Sequence, residues 1–178
     1  MPSDLNSPYS WSARSFHWLS AILVLVTFIL SEGGPESRIF SDTNRTTLTI
    51  HESLGTAVFI LTVIRLIWRA FDRQPSPVPM PAWMHLASIL THWVLFGLLV
   101  LVPVTAIAGS WLEGHALSLY IFGDYGSPIG SSALIGKAIL GIHPLLGDAI
   151  IWIAGLHAAA ALFHHFILKD GVLKAMLP

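Results

Sequence analysis

The chain contains no cysteine, which excludes disulfides, thiolate metal sites and covalent haem attachment through a Cys-x-x-Cys-His motif. Charge is nearly as scarce. Asp, Glu, Lys and Arg supply 11% of the 178 residues and hydrophobic residues 54%, where an ordinary soluble domain is about a quarter charged. The formal net charge is −1, and no basic cluster or aromatic-basic platform occurs, so no nucleic acid is expected as a partner. Fixed-period repeats and low-complexity tracts are missing too. The segment before the first apolar run is polar and only weakly basic, and no small-residue cleavage pattern follows Leu30. That run is expected to be retained rather than removed as a signal peptide.

What is present is apolar length. Four stretches, roughly Phe16 to Leu30, Leu48 to Trp68, Leu86 to Trp111 and Leu134 to Leu168, each reach the ~20 helical residues that span a bilayer. Backbone N–H and C=O groups find no partner in hydrocarbon unless the span is helical. The expected fold is therefore all-α: a four-helix transmembrane bundle, one integral-membrane domain over residues 1–178, with helices at about 12–32, 47–70, 83–112 and 134–169. The lipid bilayer is the partner that composition implies.

Four spans place both termini on one side, together with the loop from Arg69 to Trp83. That side carries Arg14, Arg65, Arg69, Arg73, Lys169 and Lys174, and the other side Arg38, Arg45 and Lys137. The positive-inside rule puts both termini in the cytoplasm. Prolines 75, 77, 79 and 81 alternate in the first of these sides' loops, which forbids a helix and favours a stiff, extended spacer. The outer segment after Gly114 is rich in Gly and Ser and is expected to be a surface loop with a short amphipathic piece around Leu117 to Phe122. Pro103, inside the third span, is read as simple helix geometry with a tolerated kink.

Histidines interrupt these apolar runs. His143 and His157 are 14 residues apart, a rise of about 21 Å and a turn some 40° short of four whole turns, so they share one helix face at opposite depths. His164 returns to that face seven residues later. His17 begins the first span on the cytoplasmic side and His51 the second on the outer side. Depth thus pairs His17 with His157 and His51 with His143. Helices in a bundle stand ~8–10 Å apart, and two facing imidazoles around a bare ion would need carboxylates or water to complete its shell. A haem needs only the two axial nitrogens, because its macrocycle supplies the other four. Gly55 follows His51 by one turn and Gly147 follows His143 by one turn, leaving room for a flat ring. Arg65, 14 residues after His51, is expected at the depth of the cytoplasmic haem, either as a propionate partner or snorkelling to lipid phosphates. His92 lies near enough to the core for a propionate or quinone contact. His115 and His165 read as solvent or headgroup contacts, and the tryptophans mostly as interface belts.

The stretches SFHWLSAILVL, IHESLGTAVFILTVIRLIWR, THWVLFGLLVLVPVT and LHAAAALFHHFILKDGVLKAMLP resemble the prokaryotic di-haem cytochrome b561 family, and within it the small cytochromes that behave as superoxide oxidases. The resemblance covers nearly the whole chain, and LHAAAALFHH followed by KD is its most specific part. It implies two haem b groups in the bacterial inner membrane, with iron ligands His17 and His157 at the cytoplasmic site and His51 and His143 at the outer one. It also implies a ubiquinone pocket that maps onto Ser15 and His164, although Ser15 reads equally well as a helix N-cap. In one departure from the family, Ala106 stands three residues after Pro103 where a Gly is common, and Gly109 is supplied instead.

The implied activity is oxidation of superoxide outside and reduction of ubiquinone inside. An anionic substrate calls for positive charge, and the candidates are Lys137, six residues before His143, and Arg45. The outer segments also hold Glu32, Glu36, Asp42, Glu52, Glu113 and Asp124, so no net basic funnel is present. The second reading is an electron-transfer subunit that exchanges electrons between the quinone pool and a separate periplasmic redox protein, for which an acidic face suits a basic partner. A proton or metal transporter using the same histidines is a third class.

Overall fold

The computed structural model describes residues 8–31, 45–72 and 78–177. The readings that concern Glu32, Glu36, Arg38, Asp42, Arg73, Pro75 and Pro77 fall outside the described residues. Four α-helices carry the fold: α1 (Trp11–Ile29), α2 (Arg45–Phe71), α3 (Ala82–Glu113) and α4 (Ala133–Phe163). All four are long and apolar enough to cross a membrane, the last when followed through Leu168. Two short antiparallel strands, β1 (Leu117–Leu119) and β2 (Gly123–Tyr125), join α3 to α4.

Local chemistry sets where these helices begin and end. Ser10 caps α1, its hydroxyl accepting from the Ala13 amide at 3.2 Å, which satisfies one of the N–H groups left over at a helix start. Gly114 ends α3 in the left-handed conformation at φ 89°, its N–H donating to the Ser110 and Trp111 carbonyls, a backbone shape that glycine adopts without a Cβ clash. Within the spans, Ser20, Thr27, Ser53, Thr62 and Thr105 each donate to the carbonyl one turn earlier at 2.6–2.8 Å. Hydroxyls bonded in this way bring polar residues into lipid with their hydrogen bonds already made.

The pattern of burial suits lipid rather than water. Large apolar side chains stand on the surface, Trp152 at 76% and Leu156 at 69% exposure, surrounding a small buried centre of Val58, Phe96, Leu98, Leu99 and Ile150. Val58 is seven residues from both His51 and Arg65, and Ile150 seven from both His143 and His157. At about 1.5 Å per residue the apolar layer therefore lies about 10 Å from each histidine level.

Two glycines let α3 and α4 meet closely. A Cβ on Gly109 would stand 2.8 Å from the Leu140 nitrogen, and one on Gly136 2.6 Å from the Glu113 nitrogen. The glycine displaced from the position after Pro103 thus serves as a helix contact at Gly109.

The first and last described residues lie at one end of the bundle, called the terminal end below. The Tyr9 amide donates to the Ala175 carbonyl at 3.1 Å, Arg14 to the Leu177 carbonyl at 2.6 Å and the Trp18 indole to the Met176 carbonyl at 2.8 Å. At the opposite, far end, the expected piece around Leu117 to Phe122 is a strand over Leu117–Leu119 followed by a turn at Tyr120 to Phe122. The start of α2 supplies the reason. Glu52 accepts from the Ser118 amide at 2.7 Å and the Ser53 hydroxyl from the Tyr120 amide at 2.9 Å, giving the backbone partners that a helix would have withheld. Gly123, at φ 83°, allows the return strand.

Candidate functional site: two imidazole pairs along the bundle

The far-end pair joins α2 to α4. The His51 and His143 rings have centroids 6.0 Å apart and planes at 89°. His51 Nδ1 lies 3.0 Å from the Thr27 carbonyl and His143 Nδ1 2.8 Å from the Val102 carbonyl. A carbonyl only accepts, so each neutral ring carries its proton on Nδ1 and its lone pair on Nε2. The Thr27 carbonyl is available because α1 stops at Ile29 and the Ser31 amide turns to Phe28 instead, leaving an acceptor of the kind that every helix C-terminus provides. Val102 lies inside α3, directly before Pro103, and its carbonyl also accepts from the Thr105 hydroxyl at 2.9 Å.

A cavity of about 880 Å³, counting the space open to its surroundings, includes both rings in its lining together with Gly55 and Gly147. A Cβ on either glycine would meet nothing within 4 Å, so these positions keep space open rather than permit close helix packing. The Thr56 hydroxyl oxygen, also in the lining, is buried with no hydrogen-bond partner. Leu117 of β1 covers the cavity at the far end.

The terminal-end pair joins α1 to α4. The His17 and His157 centroids are 6.3 Å apart with planes at 70°. A third ring, His92 of α3, stands 5.2 Å from His157, with its Nδ1 3.5 Å from the Ser88 hydroxyl. Arg65 Nη2 approaches His17 Nδ1 at 3.3 Å, and the guanidinium lies 5.1 Å above the Phe96 ring. A guanidinium only donates, so in this arrangement His17 Nδ1 accepts and Nε2 holds the proton. Arg65 and Arg69 also line a second cavity of about 350 Å³ on the same count, with Trp68, Phe96 and Met176 around it.

Both separations suit a metal held between the rings. Two metal–imidazole bonds of about 2.0–2.1 Å, with a ring radius added at each end, separate ring centres by about 6 Å. Among the described residues no group of three or more His, Asp or Glu is placed to hold a bare ion. The remaining ligands would have to come from the bound group itself, as a porphyrin provides. Ring separation, open glycines and the orphaned Thr56 hydroxyl fit a haem at the far end. At the terminal end separation and donor type fit, with Arg65 standing on His17.

The remaining expected site residues are spread between the two ends. Ser15 is the fifth residue of α1 and Ser10 is the cap, which corrects the N-cap reading of Ser15. His164 bonds Asp170 through Nδ1 at 2.6 Å; among the described residues no hydrogen bond joins it to Ser15. Arg45 forms a 3.5 Å ion pair with Asp124, the side chains being 66% and 53% exposed. Lys137 is exposed in the second turn of α4. Neither cation lines the far-end cavity, whose lining includes the carboxylates Glu52 and Asp148. His165, read as a headgroup contact, is half-buried and its Nδ1 has no hydrogen-bond partner. Thr27 and Val102 act through backbone atoms, which carry no residue-type signal in the sequence. Asp170, in the Lys-Asp pair after the fourth span, has its signal only in the fold.

A membrane-spanning helical bundle with paired imidazoles at two depths defines a haem-binding membrane protein of the b-cytochrome class. The chain matches the family model of prokaryotic cytochrome b561 over residues 8–178 and belongs to that family. It is 29% identical to cytochrome b561 homolog 2 of Escherichia coli strain K12, over 98% of this chain and 95% of that protein. It is 30% identical to the probable superoxide oxidase CybB of Yersinia pestis, over 98% of each. Cytochrome b561 homolog 1 of the same Escherichia coli strain is 31% identical over 91% of this chain and 92% of its own length. The chain is accordingly a multi-pass prokaryotic membrane protein of transmembrane electron transfer, with b-type haem as its cofactor.

Proposed function

We propose that the chain moves electrons across the bacterial inner membrane through two b haems, one between His51 and His143 and the other between His17 and His157. In this reading the far end is periplasmic and takes electrons from superoxide, and the terminal end is cytoplasmic and delivers them to ubiquinone. The observation that carries it is the recurrence of a 6 Å imidazole pair at two depths of one helix, α4. Each haem, when bound, supplies one-electron iron chemistry in a low-dielectric setting.

The protein's part is to aim and to neutralise. The Thr27 and Val102 carbonyls hold the Nδ1 protons of His51 and His143, directing the Nε2 lone pairs to the metal and making both ligands more basic. Arg65 supplies positive charge for a propionate at the terminal end, turning from His17 to that carboxylate. Ser15 and His164 hydrogen-bond a quinone carbonyl, with His164 as the proton donor. Two superoxide ions each give up one electron and leave as dioxygen; one quinone takes both electrons and two protons and leaves as quinol. Lys137 provides most of the positive charge that draws superoxide in, and Arg45, already paired with Asp124, a small part. Mixing the purified protein with superoxide while following the Soret band tests this. Fast reduction of the haem supports the reading, and a haem-replete protein that does not respond contradicts it.

The far-end charges favour a second reading. With Glu52 and Asp148 in the cavity lining and Arg45 paired to Asp124, this end suits a basic protein partner better than a free anion. In that case the chain is a cytochrome b subunit that exchanges electrons between the quinone pool and a separate periplasmic redox protein. Haem reduction that requires such a partner, and not superoxide, decides for it.

A further inference from the structure

The last turn of α4 is built differently from the rest of the bundle. From His164 to Leu168 the helix widens into a π-turn, a distortion frequent at functional sites. Lys169 then takes the left-handed conformation at φ 55°, and among the described residues it is the one non-glycine with positive φ. A side chain is disfavoured there. This backbone brings Asp170 back onto the residue that opens the turn. Its amide donates to the His164 carbonyl at 3.2 Å, and its carboxylate Oδ2 meets His164 Nδ1 at 2.6 Å. The second carboxylate oxygen accepts from the Val172 amide at 3.1 Å, which fixes its plane. The His164 side chain is 11% exposed and that of Asp170 20%.

A carboxylate just beyond a helix C-terminus faces the negative end of the helix dipole, an unfavourable place for an anion. Stability alone would favour a neutral or basic residue there. A histidine whose Nδ1 is held by a half-buried carboxylate is instead arranged for proton transfer. The carboxylate fixes the tautomer, orients the ring and stabilises the imidazolium without being protonated itself.

We propose that Asp170 is the positioning residue that makes His164 the proton donor for quinone reduction at the terminal end. This rests on the quinone reading above. In each of two turns the Nε2–H bond of the His164 imidazolium breaks and an O–H bond forms on the quinone oxygen. One electron reaches the quinone from the transmembrane path at each turn. His164 is left neutral, its Nδ1 keeping its proton and donating it to the Asp170 carboxylate, and is reprotonated at Nε2 from the water at the terminal face. Two electrons and two protons together convert the quinone to the quinol.

The test is single-turnover oxidation of the pre-reduced, haem-loaded protein by a short-chain ubiquinone, followed in the haem α-band over a range of quinone concentrations. Asp170→Asn is expected to lower the limiting rate at least tenfold while changing the half-saturating quinone concentration less than threefold; Asp170→Glu should recover most of the rate. Oxidation of Asp170→Asn by ferricyanide, which takes electrons without protons, is expected at the wild-type rate. Lys169→Gly, which relieves the left-handed strain and keeps the pair, should match wild type. A limiting rate in Asp170→Asn equal to wild type overturns the inference and leaves the quinone reading standing. So does a loss shared by ferricyanide, or one that falls on half-saturation alone, since either marks a structural role. A wild-type protein that superoxide or dithionite reduces but no quinone reoxidises overturns both.

Discussion

At the far end His51 and His143 lean on backbone carbonyls, whereas at the terminal end His17 leans on Arg65 and His157 shares its space with His92. The ring separations are nearly the same, 6.0 and 6.3 Å. The difference lies in what holds the rings. A carbonyl in a packed helix is fixed and uncharged, and it commits the imidazole to one tautomer. A guanidinium on a long side chain can leave, and while it stays it commits the imidazole to the other. On the proposed reading the far-end site is prepared for its haem, and the terminal-end site would be completed by a turn of Arg65 away from His17. Open space follows the same division, with a large glycine-lined cavity at one end and a smaller arginine-lined one at the other.

Filling the prepared cavity should break the comparison most sharply. Gly147→Leu places a branched side chain in open space beside His143 and is expected to abolish haem binding at the far end while the terminal-end haem remains. Haem content by pyridine haemochromogen, set against protein concentration, reads this as the loss of about half the haem. A variant with full haem content would mean that the cavity is not where the macrocycle sits.

A smaller effect is expected from removing the movable charge. With Arg65→Ala the terminal-end site loses a cation that opposes the ferric state, so its midpoint potential should fall by about 59 mV, a tenfold change in the one-electron reduction equilibrium. The far-end potential should hold. Arg65→Lys should fall between the two, keeping charge without the planar fork. Spectroelectrochemical titration of both haems checks this, and an equal shift at the two ends would erase the distinction drawn from the ligand surroundings.

The smallest effect belongs to Arg45. Exposed and already paired with Asp124, it contributes little net field, and the pair is screened at physiological salt. Arg45→Ala should slow superoxide-driven haem reduction less than threefold, and Asp124→Asn, which frees the cation, should speed it. Stopped-flow rates at low and high ionic strength measure both. A tenfold loss in Arg45→Ala would make that residue a true guide for the anion.

The helical fold was legible because apolar length and the need to satisfy backbone groups in lipid leave few alternatives. The depths of the histidines followed from the 14-residue spacing on α4, since helix geometry converts a residue count directly into rise and rotation. The far-end strands were not legible, because the partners that draw them out of a helix, Glu52 and the Ser53 hydroxyl, lie more than sixty residues earlier in the chain. Thr27 and Val102 were hidden for a different reason: their carbonyls belong to every residue type, and only the packing of α1 beside His51 and of α3 beside His143 makes them matter. The His164–Asp170 bond spans six residues, which is not a contact spacing on a regular α-helix, so only the π-turn reveals it. His92 could be placed by depth but not by rotation, and its approach to His157 depends on how α3 packs against α4.

On the proposed reading α4 holds one haem at each of two depths. Counting haem per chain in the wild type, His143→Ala and His157→Ala tests it most directly, with spectra to identify which haem is lost. The expected values are about two, one and one, with a different haem lost from each variant. A wild-type value of one, or a variant that keeps both haems, would contradict it.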